Sequence, residues 1–225
     1  MNSNNTYYES TINNEDNNIE KLSEIAEQGN VDAQKRLGWI YENGKGVQRD
    51  YAIAAYWYQK AADQGNVTAQ KRIAWMYEKG YGVNKNYKKA AYWYWNAAKQ
   101  GDYNSQTNIA HMYEIGKGVK QNFNKALLWY RRAAKQEDRT AQCALGKMYE
   151  LGKGVPQDYD KALLWYKKSA KQDCPEAEYR LGKMYEEGKG VRQSNLNATL
   201  WFGRAHSDGY KDENDPNYYL RHIDY

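Results

Sequence analysis

"WIYENGKGV", residues 39–47, closes a run of helical periodicity with two glycines around a lysine. Glycines beside a lysine are the mark of a phosphate-cradling loop, so the stretch first raises the prospect of a nucleotide site. Three features decide against it. The pattern G-x-x-x-x-G-K-[ST] occurs nowhere in the chain, and no strand-like run precedes the glycines as such a loop requires. Further along the chain the same stretch returns as "WMYEKGYGV", with Tyr81 where Lys45 stood. The glycines therefore serve the backbone. Gly44 ends a helix in a left-handed conformation and Gly46 gives the connection a second permissive position, with Val47 expected as a buried plug.

The return is periodic. Tyr41, Tyr77, Tyr113, Tyr149 and Tyr185 stand 36 residues apart, as do Trp57, Trp93, Trp129, Trp165 and Trp201. Glycines 46, 82, 118, 154 and 190 follow the same interval, which divides the chain into five repeats: 32–67, 68–103, 104–139, 140–175 and 176–211. Each repeat reads as two helices. The first begins at a capping position held by Asn30, Asn66, Asp102, Asp138 and Cys174, where Asn and Asp accept from otherwise orphaned amides. It carries Ala33, Leu37 and Tyr41 on one face. The second begins after Asp50, Asn86, Asn122, Asp158 and Ser194, and Ala54, Trp57, Tyr58 and Ala61 form its apolar stripe. Gly65, Gly101 and Gly209 close it, replaced by Glu137 and Asp173 in two repeats.

A single helix pair cannot bury its own stripe, whereas a stack can, provided its ends are capped. Residues 18–31 match the end of a repeat and are predicted to form an N-terminal capping helix. Residues 212–225 are predicted to cap the other end, and the Asn-rich residues 1–17 to be disordered. Leu, Ile, Val and Phe make up only 30 of 225 residues, but 23 tyrosines and 8 tryptophans supply the missing apolar area.

The stretch 141–170, "AQCALGKMYELGKGVPQDYDKALLWYKKSA", resembles the Sel-one-like repeat, a relative of the tetratricopeptide repeat, and the likeness extends over residues 19–211. It implies an all-α fold, a right-handed α-solenoid whose first helices line a concave surface, and a role as an adaptor between proteins. A cysteine-rich bacterial branch of that family pairs cysteines through disulfides. Here Cys143 matches one partner position, but Ala134 stands at the other, so the pattern is absent. Cys143 and Cys174 are expected to be free thiols too far apart to bridge.

No motif for nucleophilic or metal-assisted hydrolysis occurs, and His111, His206 and His222 lie far apart, so neither a metal nor a cofactor is expected. The recurring Glu42, Glu78, Glu114, Glu150 and Glu186 are expected to brace turns with lysines three residues on. The net charge of +5 is spread along the chain. Lys99, Lys135 and Lys171 complement helix dipoles, and Arg131-Arg132 and Lys167-Lys168 are placed on a solvated face, so nucleic acid is an unlikely partner. With no basic apolar leader and no long apolar run, an intracellular location without a membrane span is expected.

On a helical wheel, Lys35, Trp39 and Glu42 point away from the Leu37 face. The outward positions read Lys35, Lys71, Thr107, Cys143 and Tyr179, then Trp39, Trp75, His111, Lys147 and Lys183 one turn on. The tryptophans and lysines on that face suggest a protein or peptide partner, acidic with apolar anchors. The alternatives are a β-lactam- or peptidoglycan-binding enzyme and a weakly basic nucleic-acid binder.

Overall fold

The computed structural model describes residues 19–210, and the expectations for 1–17 and 212–225 fall outside them. The described residues are helical throughout, with no strand among them. They fall into two compact units. The first runs to Ser105 and includes 117–119; the second holds 106–116 and everything from 120 onward.

In the first unit, α1 covers residues 19–27. It is followed by α2 (Val31–Asn43), α3 (Tyr51–Asp63), α4 (Val67–Lys79) and α5 (Tyr87–Lys99). The expected caps form: Asn30 Oδ1 accepts from the Ala33 amide at 2.9 Å, and Asp50 accepts from Ala52 and Ile53. Gly44 ends α2 at φ +67°, with its N–H returned to Ile40. Leu37, Tyr58, Ile73 and Tyr94 are buried between the paired helices, while Val47 is only half-buried.

A side-chain clasp holds successive helices together. Gln34 Nε2 donates to the Ala26 carbonyl at 2.9 Å and Gln34 Oε1 accepts from Gln64. Gln70 does the same with Ala62 and Gln100. Ala26 of α1 thus stands where Ala62 of α3 stands, so α1 occupies the place of a second helix. Its Ile19, Leu22 and Ala26 pack with Ala33, Leu37 and Trp57.

The second unit repeats this construction with the later part of α6 (Tyr103–Ile115), α7 (Phe123–Lys135), α8 (Arg139–Leu151), α9 (Tyr159–Ala170), α10 (Pro175–Glu187) and α11 (Asn195–Ser207). Gln136 donates to Gln106 and Gln172 to Gln142, each at 3.0 Å. Glu137 and Asp173 adopt φ of +63° and +52°, the left-handed turn the other repeats assign to glycine.

The glutamates of the first three repeats meet tyrosines rather than the residue three positions on, and Glu186 meets Lys183 on its own helix. Glu42 accepts from the Tyr58 hydroxyl at 2.7 Å, Glu78 from Tyr94 at 3.1 Å and Glu114 from Tyr130 at 2.9 Å. The left-handed glycine between glutamate and lysine turns the lysine away, toward the ring that opens the preceding second helix. Lys117 lies 4.3 Å over Tyr87, Lys153 lies 5.7 Å over Phe123, and Tyr81 stacks on Tyr51 in the same relation. Nor are all the second-helix cations merely solvated. Arg132 and Lys168 each lie 4.6 Å over Trp129 and Trp165, and Arg131 donates to the Tyr149 hydroxyl. Much of the basic excess is thereby committed to aromatic rings. No described helix is long and apolar enough to cross a membrane.

Candidate binding face of the first helices

The outward positions of the first helices are not equivalent once packed. In the first unit Trp39 remains 45% exposed, whereas Trp75 is half-buried with its ring 4.9 Å from Tyr81. Lys35 pairs with Asp32 at 2.7 Å, and Lys71 reaches Asp102, the cap of the next first helix, at 2.8 Å. Burial is the largest single influence on the Asp102 carboxyl and raises it, but Lys71 and Ser105 together bring it below its usual range.

In the second unit, Thr107 is buried and donates to Asp138 at 3.0 Å. His111 stays exposed with Nδ1 3.8 Å from Glu114. The nearby His111, and then the donating Tyr130 hydroxyl, hold the Glu114 carboxyl below the ordinary carboxylate range, with burial opposing them. Lys147 lies 3.5 Å from Glu176, and Lys183 pairs with Glu186 and Glu187. Tyr179 departs from expectation. It is 8% exposed and stacks on Tyr210, 4.5 Å between ring centres, with Phe202 on its other contact. Those rings cover its edge of the face, so Tyr179 is a packing residue.

Three of the expected residues meet around one cavity. Thr107, His111 and Lys147, with Lys153, Glu114 and Cys143, line a space of about 490 Å³ between α6 and α8. Its side-chain donors, His111, Lys147 and Lys153, come from three different turns, so a carboxylate entering it can meet more than one of them. Lys153 was missed because its repeat position reads as a turn residue.

The cysteines correct another expectation. Both are free and buried, but they are not far apart: Cys143 and Cys174 lie in one buried cluster, and each is the main influence on the other's ionisation. The first turn of each first helix lies beside the cap of the next, which brings residues 31 apart into contact.

At the end of the described chain the glutamine clasp is replaced by acids, with Glu178 at the place of Gln142 and Asp208 at that of Gln172. Carboxylate oxygens of Asp173, Glu178 and Asp208 lie within 4.8 Å of one another. Arg204 sits among them, 2.7 Å from Glu178 and 3.5 Å from Asp173, and also donates to the Ala170 carbonyl. The clasp's amide has thus been exchanged for a guanidinium, and the cluster carries its own cation.

Burial, with Asp208 and Asp173 nearby, pushes the Glu178 carboxyl up to about 7, although Arg204 opposes it. The folded protein therefore holds this proton more tightly than the unfolded chain. The resulting stabilisation is present in acid and is lost as pH rises through about 7. Glu178→Gln, which restores the clasp residue, is expected to leave stability at pH 5 nearly unchanged and to raise it at pH 8 by about 1–3 kcal/mol. Urea denaturation at the two pH values measures the difference. An equal effect at both would contradict the assignment.

An all-α array of paired helices, joined through a short glycine turn and clasped by side chains at fixed intervals, defines a helical-repeat protein. The chain belongs to the Sel1 repeat family, whose model matches residues 31–66, 67–102, 104–138, 140–174 and 175–210. It is similar in structure to a protective antigen of uropathogenic Escherichia coli displaying an SLR fold. That match has 34% identity and a TM-score of 0.79, and covers 85% of this chain and 41% of the antigen. A Sel1 repeat protein from Oxalobacter formigenes is 34% identical with a TM-score of 0.77, covering 82% of this chain and 76% of its own. A putative Sel1 repeat protein from Klebsiella pneumoniae is 25% identical, with a TM-score of 0.51. This chain thus spans less than half of the E. coli protein's length. No match emerges among curated proteins. Sel1 repeat proteins commonly act as protein-interaction scaffolds.

Proposed function

We propose that the protein is a non-enzymatic scaffold that binds a peptide or protein segment on the outward face of its first helices, with an acidic or carboxylate end seated between α6 and α8. The observation that carries this reading is the cavity there, where His111, Lys147 and Lys153 converge around about 490 Å³. Lys147 and Lys153 supply charge at its rim, and Tyr130 and Ile115 supply apolar wall. Trp39 is the exposed aromatic on the equivalent face of the first unit, a residue type that dominates binding energy when it is covered. Lys35, Lys71 and Lys183 already have acidic partners, so they contribute less to a new contact than Lys147, whose acidic partner is at 3.5 Å.

The test selects ligands from a peptide library with free C-termini and measures each as the free acid and as the amide. Amidation, or Lys147→Glu with Lys153→Glu, is expected to weaken binding by about tenfold or more, the equivalent of losing a charge-assisted hydrogen bond. Trp39→Ala should leave stability within about 0.5 kcal/mol, as a surface change does. Trp75→Ala should cost more, because its ring packs on Tyr81. Binders indifferent to amidation and to both lysines would overturn the seating of a carboxylate in this cavity.

A further inference from the structure

One repeat position couples each first helix to the cap of the next, and its chemistry changes along the chain. In the first unit Lys71 meets Asp102 as an ion pair at 2.8 Å. In the second unit Thr107 meets Asp138 as a hydroxyl donating to a carboxylate at 3.0 Å. The next pair in the series, again 31 residues apart, is Cys143 and Cys174, and there two thiols make the contact. Both lie in one buried cluster with Ala177 and Leu181. Cys174 is a poor cap. Asn30, Asn66 and Asp138 accept from the amide three residues on, whereas Cys174 makes no side-chain capping bond. A helix start without that bond forgoes about 1 kcal/mol.

We propose that Cys143 and Cys174 form a reversible cross-linking site, closing as an intrachain disulfide that ties α8 to the start of α10 when the protein meets a low-molecular-weight disulfide. Cys143 faces Cys174 at the start of α10, and its thiol above all holds the Cys174 thiol down to about 6. Cys174 in turn, with burial, pushes Cys143 well above its ordinary range. The roles follow from this asymmetry. The Cys174 thiolate attacks one sulfur of R–S–S–R, forming a mixed disulfide and releasing RS⁻. Cys143 then loses its proton to solvent, and its sulfur attacks the Cys174 sulfur, expelling the second RS⁻. Two electrons and two protons leave the cysteines, and one small disulfide becomes two thiols. Cys143 lines the cavity between α6 and α8, and Cys174 keeps 9% of its surface exposed.

The experiment treats the reduced full-length chain with oxidised glutathione and follows intact mass after alkylation in denaturant. The expected product is a monomer lighter by two hydrogens that takes up no alkylating agent, reverts with dithiothreitol and melts several degrees higher. Cys174→Ser should prevent the cross-link. Cys143→Thr with Cys174→Asp reproduces the Thr107–Asp138 pair and serves as the folding control; it should melt like the reduced protein and ignore the oxidant. Two thiols still open to alkylation, stable glutathione adducts, or disulfide-linked dimers would each overturn the proposal. So would a rise in melting temperature of the Thr–Asp variant on oxidation.

Discussion

Tyr166→Ala is expected to lower the stability of the second unit by about 3–5 kcal/mol, the range for removing a buried aromatic side chain. Tyr166 is fully buried, and its ring lies so close to Gly146 that a Cβ there would stand 2.6 Å from it. Its hydroxyl donates to Glu150, a carboxylate that Arg180 also approaches at 3.6 Å. The substitution therefore opens a cavity and removes a donor from a half-buried charge at once. Tyr166→Phe separates the two effects. It keeps the ring and leaves Glu150 to Arg180, so a loss of about 1–2 kcal/mol is expected. Urea denaturation followed by circular dichroism gives both values, and an alanine variant no worse than the phenylalanine variant would remove Tyr166 from the core.

Gly82→Ala should be nearly as damaging for a different reason. At φ +67°, a Cβ on residue 82 would stand 2.0 Å from the Tyr51 carbonyl oxygen, a backbone atom that cannot rotate aside. Left-handed strain of about 1–2 kcal/mol is then added to an overpacking cost of about 1–3 kcal/mol. Gly44→Ala has the same backbone sign, but its nearest neighbours are at 3.3 Å, so it should incur little beyond the strain. A comparison of the two melting temperatures isolates the clash. Equal losses would show that conformation alone, and not the approach of the preceding repeat, demands glycine at position 82.

Much of the fold is legible in the sequence because the same packing problem is solved five times. Asn30 and Asp50 announce helix starts, Gly44 announces a helix end, and Trp57 with Tyr58 announces the buried stripe, each confirmed by return after 36 residues. The face was less legible. A helical wheel gives the direction of a side chain but not what the next helix lays over it. Tyr179 points outward on the wheel and is nonetheless covered by Phe202 and Tyr210. Lys71, Thr107 and Cys143 are outward too, yet each meets the cap of the following first helix. The glutamine clasp left a signal in the regular return of Gln34, Gln70, Gln106 and Gln142, but a glutamine carries no obvious direction until its two partners are known. The Glu42 series was misread because proximity in sequence favoured lysine, whereas the partner tyrosine lies 16 residues away.

The changing contact between first helices also bears on how such a chain could be rearranged. A repeat is often regarded as an interchangeable brick, and here each brick carries both halves of its own lock, the second half standing at its end as the cap of the next first helix. Lysine and threonine both find an acidic residue at the next cap, Asp102 or Asp138, so the bricks bearing them could trade places. The brick bearing Cys143 takes Cys174 with it, so moving it keeps the thiol pair but gives the helix that follows a cap without the carboxylate that Asp102 and Asp138 supply. Transposing residues 68–103 with 104–139 should therefore keep both locks and give a foldable chain, whereas a boundary drawn between Cys143 and Cys174 should break one.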